Sequence, residues 1–305
     1  MNTPWRGVFP PLVTPLLDRD QLDLAAQERQ VERVIAGGVA GIFILGSTGE
    51  VPSLSLRFRR ELIRETCRLV RGRAPVLVGI TDTCLTQSLE LAACAADQGA
   101  AATVLTVPYY YPPSQPELEA LARTIVRESP LPLFLYNIPV YTKAAFAVET
   151  VRRLLDEERI IGLKDSSGDM AGFRRLCELT KLRPGWTLLM GPEEKLAEGV
   201  AAGGHGGVPG GGLIHPRLFV DLCQAALAGD QPRVATLQRQ VENLGRLYRV
   251  SDHGAGVFKA IKCALSLLGV CGDRMAEPLL ALSTPEREQI QRILEECELL
   301  PTPSP

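Results

Sequence analysis

The sequence predicts an α/β fold, a (β/α)8 TIM barrel with a C-terminal helical extension. Three observations carry that prediction. Eight short apolar runs alternate with longer segments whose apolar residues recur at three- and four-residue spacing. The runs are apolar nearly throughout, as strands of a parallel sheet buried on both faces are. Beyond His215 only helical patterns remain.

The predicted strands cover residues 7–13, 41–45, 75–80, 102–107, 133–137, 160–164, 187–190 and 206–209. Helical spacing is clearest over 22–36 and 55–70, and continues over 87–98, 116–128, 148–156, 172–182 and 193–202. Eight strand–helix steps joined by short connections point to a closed barrel rather than an open sheet. An open doubly wound sheet is the alternative, but no G-x-G-x-x-G follows the first strand, which argues against its dinucleotide-binding form. The eighth run lies in the glycine-rich segment 203–212, and pattern alone reads it equally well as a loop. Four helices follow, over 216–228, 232–248, 257–268 and 284–298, ahead of a Pro-rich tail at 300–305 expected to fray. The chain is therefore expected to divide into a barrel at 1–215 and a helical region packed on it at 216–305.

Composition excludes several classes of function. The 305 residues are 46% hydrophobic and 22% charged, enough for one large core and inconsistent with bulk disorder. The net charge of -2 is spread along the chain, which leaves no basic face for nucleic acid or a membrane surface. No apolar stretch approaches a membrane span, and the first six residues lack the apolar core of a secretory signal. None of the eight cysteines forms a Cys-x-x-Cys pair, and several fall within apolar helical patterns. They read as reduced thiols of a cytoplasmic protein. The three histidines are too dispersed for a metal cluster.

Three places carry chemistry, at the strand ends where barrels build active sites. The first is Gly162-Leu163-Lys164-Asp165-Ser166-Ser167-Gly168. Only six of the 33 basic residues are lysines, and Lys164 ends an apolar strand. Partial desolvation there favours a neutral, nucleophilic amine that attacks a ketone to form an imine. A lysine snorkelling to solvent or pairing with Asp165 fits the local sequence equally well. The second place is Gly46-Ser47-Thr48-Gly49-Glu50, where two hydroxyls and backbone N–H groups can grip a carboxylate. A plain glycine turn with Ser53 or Ser55 capping the next helix is the simpler alternative. The third is tyrosine-rich: five of the six tyrosines lie between 109 and 141, in Pro108-Tyr109-Tyr110-Tyr111 and around Tyr136. A phenol in a barrel mouth moves protons when a hydroxyl orients it, though an inert aromatic rim looks the same in sequence.

In this order and spacing, the motifs Gly46-Ser47-Thr48-Gly49-Glu50, Pro108-Tyr109-Tyr110, Tyr136-Asn137-Ile138-Pro139 and Gly162-Leu163-Lys164-Asp165 resemble the dihydrodipicolinate synthase / N-acetylneuraminate lyase superfamily. The opening Gly7-Val8-Phe9-Pro10-Pro11 resembles its first strand, and the likeness spans the barrel and the helical region. The resemblance implies a class I aldolase that works through a lysine Schiff base. It matches Lys164 to the imine-forming lysine and Tyr136 to the proton-shuttling tyrosine. Ser47 and Thr48 match the pair that binds the 2-oxo-acid carboxylate, with Thr48 also linked to the tyrosine relay. Tyr110 matches a tyrosine that reaches a neighbouring subunit's site, and Val208 lies where a backbone carbonyl faces the substrate. A homotetramer, a dimer of dimers, is implied, as is chemistry on a small 2-oxo acid and an aldehyde. No metal or organic cofactor is needed, because the imine is itself the electron sink.

One departure bears on specificity. Two residues past Pro139, where the synthases carry an arginine for the semialdehyde carboxylate, this chain has Tyr141. A tyrosine cannot form a bidentate cationic clamp. The glycines of 206–212 leave room for a longer polyhydroxylated chain, and Lys164-Asp165-Ser166-Ser167-Gly168-Asp169 resembles members acting on 2-keto-3-deoxy sugar acids. An aldolase or dehydratase of such an acid is therefore expected first, dihydrodipicolinate synthase second and N-acetylneuraminate lyase third, with Tyr141 contacting the substrate. A catalytically dead scaffold is disfavoured because Lys164, Tyr136, Ser47 and Thr48 are all present. A phosphate-binding barrel isomerase leaves those residues unexplained.

Overall fold

The computed structural model of the chain describes residues 5–300. The first four residues and most of the tail, 301–305, lie outside it, so the expected fraying concerns residues not described. The parallel sheet takes one strand from each predicted run: β1 (Gly7–Val8), then, after the antiparallel hairpin of β2 (Leu16–Asp18) and β3 (Gln21–Leu22), β4 (Ile42–Ile44), β5 (Val76–Gly79), β6 (Ala102–Thr106), β7 (Leu133–Asn137), β8 (Ile160–Asp165), β9 (Thr187–Met190) and β10 (Gly206–Gly207). The hydrogen-bonded order is β1-β10-β9-β8-β7-β6-β5-β4. The two ends then meet. Pro11 bridges Phe43 in parallel, the Leu12 N–H donates to the Phe43 carbonyl at 2.8 Å, and the Ala40 N–H donates to the Val8 carbonyl at 2.8 Å. The sheet is a closed eight-stranded barrel.

The first and last strands are shorter than the sequence predicts, for two reasons. Pro10 and Pro11 have no N–H to offer a ladder. Gly206, at φ +149, lies so close to β1 that a Cβ would stand 1.9 Å from the Gly7 carbonyl oxygen. The glycine-rich segment is thus the seam of the barrel, not a free loop.

Alternation along the strands sorts the apolar residues into two layers. Phe9, Phe43, Leu77, Val104, Phe134 and Leu189 fill the barrel interior, with Tyr136 and Val208 in the same cluster. The intervening residues face the helices: α1 (Leu24–Ala36), α2 (Leu56–Val70), α3 (Leu85–Asp97), α4 (Gln115–Glu128), α5 (Pro139–Thr142), α6 (Val148–Leu154), α7 (Met170–Leu182) and α8 (Leu196–Ala201). α2 illustrates the local logic. Ser55, extended at the N-cap, accepts the Phe58 N–H at 3.2 Å, and the helix buries Phe58, Leu62, Ile63, Leu69 and Val70. Of the two serines considered as caps, Ser55 is the one used.

Helices α9 (Pro216–Ala228), α10 (Gln231–Leu244), α11 (Gly256–Leu267) and α12 (Thr284–Glu296) follow. α5 is a single turn of four residues, so α9, packed against β1 and α8, fills the eighth helical position around the barrel. The predicted helix over 232–248 ends at Leu244 and continues as a 3-10 turn, Gly245–Arg249. No helix among the described residues is long and apolar enough to cross a membrane.

Candidate active site

Lys164 is the next-to-last residue of β8, in register with Tyr136 on β7 and Leu189 on β9. Both neighbours belong to the barrel interior, so the Lys164 side chain rises from inside the barrel toward the C-terminal mouth. Lys164 is 7% exposed and Tyr136 4%. The Nζ stands 4.0 Å from the centroid of the Tyr136 ring and 5.1 Å from that of Phe43. The lysine neither snorkels to bulk water nor pairs with Asp165, which points to the opposite face of the strand. There Asp165 accepts the Ser167 hydroxyl at 2.8 Å, and burial pushes its carboxyl above the ordinary range.

Short polar ties hold these strand ends. The Thr106 hydroxyl donates to the Tyr136 carbonyl at 2.9 Å, and the Thr106 N–H donates to the Thr81 hydroxyl at 2.8 Å. Asn137 donates to the Phe146 carbonyl and accepts the Phe146 N–H, fixing the loop that follows β7. Gly191, past β9, donates its N–H to the Asp165 carbonyl at 2.8 Å, and a Cβ there would lie 1.9 Å from the Ser166 Oγ. The Val208 N–H donates to the Met190 carbonyl at 2.8 Å, which leaves Val208 at the barrel's inner wall.

A pocket with Phe43, Ser47, Tyr109, Tyr136, Ile138 and Tyr141 in its wall lies beside this floor; Lys164 does not itself line it and adjoins it through the rings of Phe43 and Tyr136. Thr48 is buried beside Ser47. Tyr141 extends along the rim and donates its hydroxyl to the Gly254 carbonyl at 2.7 Å, with its ring against Phe258 at 5.6 Å. Burial, with Tyr136 next in effect, pushes the Tyr141 phenol up. Tyr110 stands apart: it is 75% exposed and pairs edge-on with Tyr111 at 4.8 Å. Of the three consecutive tyrosines, Tyr109 is the one that lines its own chain's pocket. Among the described residues no hydrogen bond joins Tyr136 to Thr48 or Tyr110, and no group of three metal-ligating side chains converges.

The arrangement fits an amine nucleophile on an apolar floor, a phenol against it and a hydroxyl-bearing loop alongside. The family model described as the dihydrodipicolinate synthetase family matches residues 4–297. The chain belongs to that family. Its members are lyases of the class I aldolase type that form a Schiff base on a lysine and use pyruvate and an aldehyde. A 4-hydroxy-tetrahydrodipicolinate synthase of Leptothrix cholodnii is 32% identical over 295 residues, 96% of this chain and 98% of that one. Among solved structures, a dihydrodipicolinate synthase from Bacteroides thetaiotaomicron superposes with a TM-score of 0.93 at 45% identity, covering 97% of this chain and 100% of that chain. A prophage protein of the same family from E. coli K12, in complex with pyruvate, gives a TM-score of 0.92 at 28% identity, with 97% and 99% covered.

Sequence patterns did not single out Phe43, Gly254 or Phe258. Phe43 is one apolar residue in an apolar strand. Gly254 lies 113 positions from the tyrosine it meets and carries no side chain to mark it.

Proposed function

We propose that the chain is a Schiff-base aldolase or dehydratase whose substrate is a 2-keto-3-deoxy sugar acid, with Lys164 as the nucleophile. The observation that carries the specificity is Tyr141. Where an arginine would meet a carboxylate, the rim presents a half-buried phenol tied to Gly254, suited to hydroxyl groups rather than to a second anion. The names of the relatives favour a second reading, condensation of pyruvate with a semialdehyde as in 4-hydroxy-tetrahydrodipicolinate synthase. N-acetylneuraminate cleavage ranks third.

In this mechanism the carboxylate of the substrate docks on Ser47 and Thr48, bringing its C2 carbonyl to the Lys164 Nζ. The neutral amine adds to C2, and the carbinolamine loses water as Tyr136 returns a proton to the departing oxygen. The Val208 carbonyl lines the opposite wall. In cleavage the C4 hydroxyl gives up its proton, the C3–C4 bond breaks, and its electrons pass into the iminium to leave an enamine and an aldehyde. A dehydratase expels a hydroxyl from the same system. Tyr110, exposed on its own chain, completes a neighbouring subunit's site in a cytoplasmic homotetramer. The barrel strands, all within 1–215, carry the chemistry, and the region at 216–305 supplies the last barrel helix, α9, and braces the mouth.

Borohydride reduction in the presence of pyruvate, read by intact mass and peptide mapping, tests the core of this reading. A reduced adduct on Lys164, absent from Lys164→Ala, is expected. Unimpaired turnover by folded Lys164→Ala refutes it. A panel of 2-keto-3-deoxy acids and semialdehydes then separates the first reading from the second.

A further inference from the structure

One buried polar group takes no part in the chemistry above. Lys262, on α11, is fully buried, and its Nζ lies 2.6 Å from Oε1 of Glu50, whose side chain is 1% exposed. The other carboxylate oxygen, Oε2, accepts the Ala276 N–H at 2.7 Å. Two charges this deep are no gain over a packed apolar pair, because desolvation offsets their attraction. The pair is better explained by what it holds.

Glu50 ends the segment that presents Ser47 and Thr48. That segment is bracketed by two non-glycine residues in the left-handed region, Leu45 at φ 56 and Glu50 at φ 58. Such backbone persists only where its surroundings enforce it. The Gly49 N–H donates to the Gly46 carbonyl at 3.1 Å, and the Glu50 N–H donates to the Ser47 carbonyl at 3.0 Å. The Ser47 and Thr48 N–H groups enter no backbone hydrogen bond among the described residues. On the barrel side the Thr14 hydroxyl donates to the Gly49 carbonyl at 2.6 Å. The loop is therefore pinned from the β1 side by Thr14 and from the C-terminal region by Lys262 and Ala276.

We propose that the Glu50–Lys262 pair is a positioning device for carboxylate recognition. By fixing the left-handed turn at Glu50, it keeps the hydroxyls and free N–H groups of Ser47 and Thr48 aimed at the substrate carboxylate. The inference rests on the reading that Ser47 and Thr48 bind that carboxylate, and it assigns the C-terminal helices a part in substrate affinity.

The test is the double variant Glu50→Gln/Lys262→Met, which removes both charges and nearly preserves volume. It is expected to fold, to trap pyruvate on Lys164, and to show a KM for pyruvate raised at least about tenfold with kcat little changed, the pattern of lost uniform binding. A core variant remote from the loop, Leu222→Ala, serves as a control for stability alone and should leave KM unchanged. A wild-type KM in the double variant, or an equal rise in the control, overturns the proposal. If the double variant does not fold, Glu50→Asp withdraws the carboxylate by one methylene while keeping its charge, and the same KM criterion decides. Ser47→Ala and Thr48→Val are measured alongside. If neither raises KM in the native background, the carboxylate reading itself is wrong.

Discussion

Glu193 offers a sharp test of how burial shapes this molecule. It follows β9 and is 7% exposed, with Oε2 accepting the Gly211 N–H at 2.6 Å and Oε1 accepting the Tyr248 hydroxyl at 2.8 Å. Burial pushes its carboxyl from an ordinary 4.5 up to about 7, outweighing the lowering effect of those two hydrogen bonds. A folded-state value above the unfolded one means that the folded protein holds the proton more tightly. The resulting stabilisation is complete below pH 4.5 and is lost as pH rises toward 7, above which both states are ionised. At roughly 1.4 kcal/mol per pH unit, the rise amounts to about 3 kcal/mol.

Glu193→Gln removes the titration and keeps the shape. The Gln carbonyl can accept the Gly211 N–H while its amide donates to Tyr248, whose hydroxyl turns to accept. Urea unfolding of both proteins from pH 4.5 to 8 is the assay. His205 and His215, whose imidazoles burial pushes down, titrate alike in both and cancel in the difference. The stability of the variant relative to the parent should climb by about 3 kcal/mol up to pH 7 and then level off. Parallel curves across that range would falsify the assignment of a buried, proton-holding Glu193.

Two further substitutions probe the site. Tyr136→Phe keeps the ring beside Lys164 but removes the phenolic proton, so kcat should fall by roughly 10²–10⁴ while the melting temperature holds; a loss under threefold dismisses the proton-shuttle role. Tyr141→Arg breaks the 2.7 Å tie to Gly254 and supplies a cationic fork, and should raise kcat/KM for a semialdehyde relative to a 2-keto-3-deoxy acid. An unchanged ratio in competition assays removes Tyr141 from the specificity argument.

What was legible in the sequence was what is local. Parallel strands buried on both faces read as unbroken apolar runs, and seven of the eight could be placed from that feature alone. The eighth was ambiguous because closure of the barrel demands glycine at Gly206, and glycine is also the mark of a loop. The β2–β3 hairpin was invisible, since its strands have only three and two residues and no period can form. Lys164 was conspicuous as a charge ending an apolar strand, whereas the Phe43 ring near it was indistinguishable from core.

The illegible contacts share a geometry. Glu50 to Lys262, Tyr141 to Gly254 and Glu193 to Tyr248 each join a loop at the mouth of the barrel, after β4, β7 and β9, to the region beyond α10. Their separations in sequence run from 55 to 212 residues, far beyond any amphipathic period. The Glu50–Lys262 tie is buried and the Glu193–Tyr248 tie half-buried, so both are costly to leave unmade, whereas the Tyr141–Gly254 tie lies exposed at the rim. Together they brace three of the loops that surround Lys164. A barrel cut free at residue 215 would keep the lysine, the tyrosine and the two hydroxyls, yet lose the partners of Glu50, Tyr141 and Glu193. On this view the C-terminal helices belong to the active site as much as the strands do: the strands supply the reacting groups, and the helices hold the loops that must meet the substrate.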